Sequence, residues 1–273
     1  LSGDGGDEFF CGYNFYTEYN SFWKKISAIP IPRPMLLRVG RSGCKVLETT
    51  VLNLFCRLFS HVGAYSLSDK INRWYPILTA SNFAEAYVLS RSIWSQKQLK
   101  YLTPDLQSDI PFKDFPRFDL DPITAMMLFD AKIYLPDDLL VKVDRASMAV
   151  GLEAREPLLD HKLVEYALSL PLKYKYSNRT TKYILKRILY KYLPRDLVDR
   201  PKRGFGAPLE QWLLNGSLRS LVLDYLNPRR IREQGIFSVD YIQKTVNDFQ
   251  QGIWVNPNKI WNLLAFELWY EKR

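Results

Sequence analysis

Three glycines and three acidic residues crowd into the seven positions from Ser2 to Glu8, which read Ser-Gly-Asp-Gly-Gly-Asp-Glu. Glycines let the backbone approach a ligand closely and present N–H groups to an anion, and a helix predicted to begin near Asp7 adds partial positive charge. The acids can hold Mg²⁺, which then bridges to phosphate. This glycine-acid loop therefore suits a metal-nucleotide, with the phosphate-side contacts assigned to Ser2, Gly3, Gly5 and Gly6. Taken alone, a surface turn without a ligand is an equal alternative.

A second cluster occupies residues 134–160 and reads YLPDDLLVKVDRASM, followed by GLEAREPLLD at 151–160. Pro136 and the acids after it predict the beginning of a helix, through a preset dihedral angle and the helix dipole. Lys142 and Asp144 interrupt an otherwise apolar run, and we assign them to the nucleotide site. For Glu153, Arg155 and Asp160 a buried ion-pair network is the favoured interpretation.

A third cluster, at residues 200–208, reads RPKRGFGAP and combines two glycines and two prolines with three basic residues. It fits either a mobile basic lid that closes on phosphates or an ordinary basic surface turn. Between Leu172 and Arg203 eleven residues are basic and two are acidic. The excess of nine positive charges in this segment equals the net charge of +9 of the whole chain. Such a segment attracts polyanions, and a solvated helix face without a partner is the alternative.

The composition limits the class of protein. Of 273 residues, 47% are apolar, enough for a sizeable core, and no run reaches the roughly 18 apolar residues of a membrane helix. The three cysteines are Cys11, Cys44 and Cys56, and none forms a CxxC pair, so a reducing compartment, the cytoplasm, is expected. No signal peptide is visible, and the numbering is expected to start inside a longer chain.

The elements that must position these clusters are predicted to be almost all helices, because strand-like alternation is nearly absent. Apolar spacing predicts helices at 7–24, within 33–61, and at 82–90, 122–135, 137–150, 162–170, 182–193, 218–225, 241–249 and 258–271. In 182–193 the residues Ile184, Leu185, Ile188, Leu189 and Tyr192 are predicted to share one apolar face, and Ile260, Leu264 and Leu268 do so in the last helix. The opening turn, however, is typical of the carboxyl end of a parallel strand, so the strands are expected upstream.

The three clusters, in this order, resemble the synthetase domain of the glutamine-hydrolysing asparagine synthetase family. Its patterns are SG(D/E)GxDExFGGY, then LPDDxLxKVDRxSMxxGLExRxPxLD, then RPKxGFxxP. The resemblance covers Leu1 to about Trp212 and is most specific in its central part. It implies an α/β fold of the adenine nucleotide α-hydrolase type, of which residues 1–273 are the carboxyl-terminal and predominantly α-helical portion. The amino-terminal glutaminase domain and a first pyrophosphate loop, SGGxDS, are expected outside this chain, and the isolated fragment is expected to be inactive.

The resemblance also implies roles for single residues. Asp7 matches a ligand of the catalytic Mg²⁺, and Asp4 matches the acid that assists attack by ammonia on an acyl-adenylate. Lys202 matches the lysine that stabilises charge on the leaving pyrophosphate or the tetrahedral intermediate, and Lys182 matches a lysine on the pyrophosphate side. The implied reaction consumes ATP, with aspartate and glutamine-derived ammonia as substrates; a homodimer is the assembly considered, with no membrane or nucleic-acid partner.

The sequence departs from the family pattern at Phe10-Cys11-Gly12-Tyr13, where Cys11 replaces a glycine. This change bears on the identity of the substrate more than on the type of reaction. Two alternatives therefore stay open beside asparagine formation: a related amidotransferase acting on a sugar or peptide carboxylate, and an inactive module that binds nucleotide or RNA.

Overall fold

The computed structural model of the protein describes residues 1–28, 80–104, 115–116, 120–199, 206–252 and 255–273. The chain divides into two compact units. The described part of the first unit comprises residues 1–28, 81–87, 115–116 and 120–199, and that of the second comprises residues 80, 88–104, 206–252 and 255–273. The helices predicted within 33–61, the residues Cys44 and Cys56, and Lys202 with most of its basic loop lie outside the described residues.

The first unit is built from short helices. One helix, α3 (Phe83–Arg91), lies across the division between the two units. The other helices of the first unit are α1 (Gly6–Phe9), α2 (Asn14–Ser27), α5 (Pro122–Lys132), α6 (Val141–Met148), α7 (His161–Ser169), α8 (Leu172–Lys175), α9 (Tyr183–Leu189) and α10 (Arg195–Val198). A 3₁₀ turn (Pro157–Leu159) precedes α7.

A helical segment begins at Leu135 with Pro136 in its first turn, as the sequence predicted, but it is π-helical and continues the path of the helix before it. Helix α5 begins after Asp121, whose carboxylate accepts hydrogen bonds from the N–H groups of Ile123 and Thr124 at 3.0 Å each. Its helical path then continues, through a turn at Ile133, into a π-helical segment (Leu135–Leu140) and from there into α6. Pro136 has no N–H to donate, and the wider π turn accommodates it inside a helical segment.

Two apolar clusters hold the first unit together. An aromatic cluster includes the fully buried Tyr16, Tyr19 and Tyr87, and the hydroxyls of Tyr16 and Tyr87 both donate to the buried carboxylate of Asp130 at 2.9 Å. The second cluster fixes the short helix α1, because Phe9 and Phe10 are buried there with Leu135 and Ala167. Burial of these two aromatic side chains anchors the carboxyl end of the glycine-acid loop.

The second unit is a group of helices around a continuous apolar core. Its helices, apart from the end of α3, are α4 (Gln96–Leu102), α11 (Leu209–Leu214), α12 (Arg219–Tyr225), α13 (Pro228–Gln234), α14 (Val239–Gln250) and α15 (Pro257–Tyr270). Side chains cap several of these helices; Ser95 and Gln98, for example, form a capping box on α4. The predicted face of the last helix is confirmed, because Ile260 and Leu264 are buried and Leu268 packs against the same core.

The prediction of a predominantly helical chain is confirmed for the described residues, which contain no β-strand and only an isolated antiparallel bridge between Ser177 and Thr180. The α/β class of the complete domain stays a prediction. Within the same residues, none of the helices combines the length and the apolar character needed to cross a membrane.

Candidate functional site

The glycine-acid loop is held at its beginning and at its centre by the end of the second sequence cluster. At its beginning, the N–H of Ser2 donates to the carbonyl of Arg155 at 2.8 Å. At its centre, Gly5 lies against Leu159, and its carbonyl accepts a hydrogen bond from the N–H of Phe9 at 2.9 Å. Gly5 has a φ of 85°, and a Cβ there would collide with the side chain of Leu159. Only glycine combines this left-handed backbone with so close a contact. The structure therefore brings the first and second sequence clusters together.

The carboxylate of Asp7 is paired with Lys182. The ammonium of Lys182 lies 3.1 Å from Oδ1 of Asp7, with side-chain exposures of 32% and 23%, respectively. Lys182 therefore contacts the loop, as a lysine on the pyrophosphate side must, although 175 positions separate it from Asp7 in the sequence. The two groups form an ion pair that is only partly exposed to solvent.

Lys182 reaches Asp7 from an unusual backbone conformation. It precedes α9 with a φ of 52°, in the left-handed region, and its N–H donates to the carbonyl of Phe10 at 3.2 Å. Gly12 leaves the space that its side chain occupies, because a Cβ on Gly12 would collide with Cε of Lys182 and with the Asp7 carboxylate. A lysine in this conformation costs roughly 1–3 kcal/mol and persists only where its surroundings enforce it.

Asp4 has a different environment from Asp7. Its Oδ2 accepts a hydrogen bond from the hydroxyl of Ser2, and its own N–H donates to that hydroxyl oxygen at 3.3 Å. Both side chains are partly exposed, as is that of Asp7. The loop thus offers two accessible carboxylates, of which one is oriented by a serine and the other by a lysine.

Glu8, one of the three acids of the glycine-acid loop, is buried and paired with Tyr13, which the sequence did not indicate. Glu8 is 1% exposed, its Oε1 accepts a hydrogen bond from the Tyr13 hydroxyl at 2.6 Å, and burial raises its pKa above the ordinary value. The Tyr13 ring also lies edge-on to Tyr134, with ring centroids 6.4 Å apart. The signal that could have revealed this pair is the position of an acid directly before Phe9-Phe10, since a carboxylate among apolar residues needs a donor.

The residue that departs from the family pattern, Cys11, is buried without exposure and has a φ of 56°. This backbone conformation explains why a glycine is usual there. Desolvation raises the pKa of the Cys11 thiol to about 12. Near it lies Lys175, which is 2% exposed and whose pKa burial lowers. Cys11 therefore fills space behind the loop as an inert thiol.

Other predicted site residues lie elsewhere. Lys142 and Asp144 are exposed on α6, and the ion pair of Asp144 is with Arg145 at 3.8 Å, so their contact with nucleotide stays a prediction. The prediction of a buried ion-pair network at Glu153, Arg155 and Asp160 was wrong. Glu153 and Arg155 pair at 3.0 Å but are 68% and 71% exposed, and Asp160 caps α7 by accepting from the N–H groups of Lys162 and Leu163.

The basic segment does not form a single stripe. Lys175 is buried, Lys182 contacts Asp7, and Lys186 pairs with Asp199 at 3.1 Å. The predicted apolar face of 182–193 is likewise divided, because Ile184 and Leu185 pack in the core whereas Tyr192 is 77% exposed. Among the described residues of this segment, Lys182 is the one that an ion pair joins to the acids of the loop, so charge density alone did not locate the site.

The residues of the loop fit a magnesium ion that arrives with a nucleotide. No group of three or more carboxylate, histidine or cysteine side chains suited to a metal occurs within the described ranges. Mg²⁺ is commonly bound by one or two carboxylates, with water and substrate phosphates completing its octahedron. The partly exposed carboxylates of Asp4 and Asp7, on one short loop, match such a small set of donors.

Comparison with known proteins extends over nearly the whole chain. Glutamine-hydrolysing asparagine synthetase 1 of Bacillus subtilis is 28% identical over 283 residues, covering 99% of this chain and 40% of its own. A Mycobacterium bovis relative is 29% identical over 279 residues, covering 99% of this chain and 38% of its own, and its name assigns it provisionally to the same enzymes. A Penicillium rubens protein named amidase chyE is 22% identical over 263 residues, covering 90% of this chain and 37% of its own.

This chain therefore spans about two fifths of the length of the two asparagine synthetase relatives just described. No solved structure is significantly similar to it. The sequence model of asparagine synthase matches residues 1–271. A match of this extent, over a loop whose glycines and acids the fold brings to a lysine, assigns the chain to the asparagine synthase family.

Proposed function

We propose that the protein to which this chain belongs uses ATP to activate a carboxylate as an acyl-adenylate and aminates it, releasing AMP and pyrophosphate. Aspartate is the proposed acceptor and glutamine-derived ammonia the nitrogen source, which gives asparagine. The observation that carries the proposal is the contact of Lys182 with Asp7, within a loop that also presents Asp4. The cytoplasm remains the expected compartment, on the cysteine argument alone.

The first step is an attack by the substrate carboxylate on the α-phosphate, with pyrophosphate as the leaving group. Negative charge then accumulates on the β and γ phosphates, and fixed cations facing them lower the barrier. Lys182, held by its backbone against Phe10, is one such cation. We assign the second to Lys202 from the family pattern. Mg²⁺, when bound at Asp7, would supply further positive charge to the same phosphates.

The second step is attack by ammonia on the acyl carbon, which requires a base to remove a proton as the C–N bond forms. We assign this role to Asp4. Its carboxylate is partly exposed and is oriented by the Ser2 hydroxyl, so it can accept a proton while its position is fixed. Asp4 and Asp7 are thus proposed to act in different steps, although they are three residues apart.

The acceptor has to be tested separately, because the names of the relatives include an amidase as well as synthetases. Two assays on the intact protein separate the steps: exchange of pyrophosphate into ATP reports adenylation, and AMP release with ammonia reports amidation. Each is run with aspartate and with other carboxylates.

Asp4→Asn is expected to retain exchange and lose amide formation, whereas Asp7→Asn and Lys202→Ala are expected to lose both. Asp240→Asn is the matched control, because Asp240 is exposed on α14 in the second unit. Absence of AMP release with every carboxylate tested would contradict the proposal. Equal loss of both activities in Asp4→Asn would contradict the division of roles.

A further inference from the structure

The most constrained contact in the glycine-acid loop is the one between Lys182 and Asp7. Three features enforce it: the left-handed backbone of Lys182, its N–H bond to Phe10, and the space left by Gly12. A Cβ on Gly6 would also lie 3.6 Å from the lysine ammonium, so glycines border this side chain at two points. Such a fixed arrangement exceeds what a surface ion pair needs, since exposed pairs contribute little to stability.

The position of the ammonium conflicts with direct binding of a metal to the same oxygen. Lys182 Nζ lies 3.1 Å from Oδ1 of Asp7, and Mg²⁺ binds a carboxylate oxygen at about 2.1 Å. An ammonium and a divalent cation on one oxygen would be only a few ångströms apart, where like charges repel strongly in a partly buried site. Binding of a metal to this oxygen therefore requires the lysine to move away from it.

We propose that Lys182 is an exchangeable counter-ion of Asp7, which yields the carboxylate to the divalent cation and moves onto the phosphates that arrive with it. This inference rests on the proposed function, because it requires Asp7 to be the metal ligand. Displacement of the lysine opposes binding of the metal alone. Pyrophosphate provides a new partner for the displaced ammonium, so metal and pyrophosphate each strengthen binding of the other.

The exchange predicts changes of opposite sign in one variant. Lys182→Met removes the competing cation and the phosphate partner together. We expect it to bind Mn²⁺ alone more tightly than the wild-type protein does and to bind pyrophosphate in the presence of Mn²⁺ more weakly. In the wild type, pyrophosphate should raise the Mn²⁺ affinity by about fivefold or more, and in Lys182→Met this coupling should fall towards onefold.

The measurements are titrations of the intact protein with Mn²⁺, followed by electron paramagnetic resonance, with and without inorganic pyrophosphate. Lys186→Met is the matched control. It removes the same charge about one turn further along the chain, from a lysine that pairs with Asp199 rather than with the loop. It should leave the coupling as in the wild type. If Lys182→Met does not bind Mn²⁺ more tightly, or Lys186→Met behaves in the same way, the exchange is overturned while the metal-nucleotide site stands.

A second measurement needs no variant. The acylation rate of the Lys182 amine, read by peptide mass spectrometry relative to Lys186, should rise when Mn²⁺ alone displaces it and fall when Mn²⁺ and pyrophosphate are both present. A rate unchanged by Mn²⁺, under conditions in which Mn²⁺ binds, would overturn the proposal. If the wild-type protein binds neither Mn²⁺ nor its pyrophosphate complex, the proposed function fails with it, and this outcome is distinct from the other two.

Discussion

The two units of the chain differ in where they place unfavourable backbone conformations. Among the described residues other than glycine, a positive φ occurs at Cys11, Asn178, Arg179 and Lys182, all in the first unit. In the second unit the left-handed residues are Gly235 and Gly252, which follow helices and where a Cβ would meet open space. Two of these strained residues, Cys11 and Lys182, adjoin the glycine-acid loop, as is usual for functional sites, and the described part of the second unit has no such non-glycine residue.

The units differ in packing as well. The core of the second unit is a continuous apolar cluster in which Ile260 and Leu264 have no exposure. The loop of the first unit instead places half-buried acids and a lysine against glycines, where a single added carbon would collide with charged groups. The stability of the second unit therefore depends on how completely apolar side chains fill its core. The structure of the loop depends instead on backbone conformation and on the pairing of charges.

The largest expected effect tests the apolar core. Leu264→Ala should lower the free energy of unfolding by about 2–5 kcal/mol, because it removes a fully buried side chain and leaves a cavity. Chemical denaturation measures the loss. Leu223→Ala is the matched control, since Leu223 is 48% exposed in the same unit. Equal losses in the two variants would contradict the assignment of this core.

Gly12→Ala tests the loop. The added Cβ would collide with the Asp7 carboxylate and with the Lys182 side chain, so we expect a loss of about 1–3 kcal/mol in unfolding free energy together with weakened pyrophosphate binding. Denaturation and pyrophosphate titration measure the two effects. Gly3→Ala controls for folding, because a Cβ there meets no atom within 4 Å. A Gly12→Ala protein as stable as Gly3→Ala would show that the loop tolerates the added volume.

Cys11 allows the cost of strain to be measured directly. Both Cys11→Gly and Cys11→Ala remove the buried thiol, but only glycine adopts a φ of 56° without steric cost. After allowance for the greater freedom of glycine in the unfolded chain, Cys11→Gly should be more stable than Cys11→Ala by about 1 kcal/mol. Thermal denaturation of the pair provides the test. A more stable alanine variant would argue against a left-handed backbone at this position.

The smallest expected effect concerns pH. Burial lowers the pKa of Lys175 in the folded state, so folding disfavours its charged form, and this penalty is fully present below the lowered pKa. It is relieved as pH rises from that pKa to the unfolded value of 10.5. The groups that act on Lys175 are the Cys11 thiol and Asp121. Lys175→Met, which preserves much of the volume, should therefore be more stable than the wild type at neutral pH.

That advantage should shrink as the pH approaches 10.5, which thermal melts over a series of pH values would reveal. The exposed Lys173→Met, from the same short helix, should show no such dependence. An advantage of Lys175→Met that is constant with pH would indicate an effect of packing rather than of charge.

Most helices could be predicted from the spacing of apolar residues, and the predictions at 82–90, 241–249 and 258–271 differ from the observed bounds by only one or two residues. Short helices such as α8 and α10 could not, because four residues do not complete a repeat of apolar positions. Pro136 indicated the start of a helical segment but not that this segment continues the helix before it. A proline is usually a boundary, and only the π-helical turn around it shows that the helical path continues.

The sequence by itself determined the chemical types at the site, since glycines and acids in seven positions, followed by two further clusters, indicate a phosphate and metal site of a known family. Only the tertiary structure decided which of the described basic residues between Leu172 and Asp199 meets those acids. It selected Lys182 through a left-handed backbone and the space beside Gly12, and it buried Lys175 and paired Lys186 elsewhere. Contacts across 175 positions depend on how helices pack, and charge patterns along the chain carry no information about that packing.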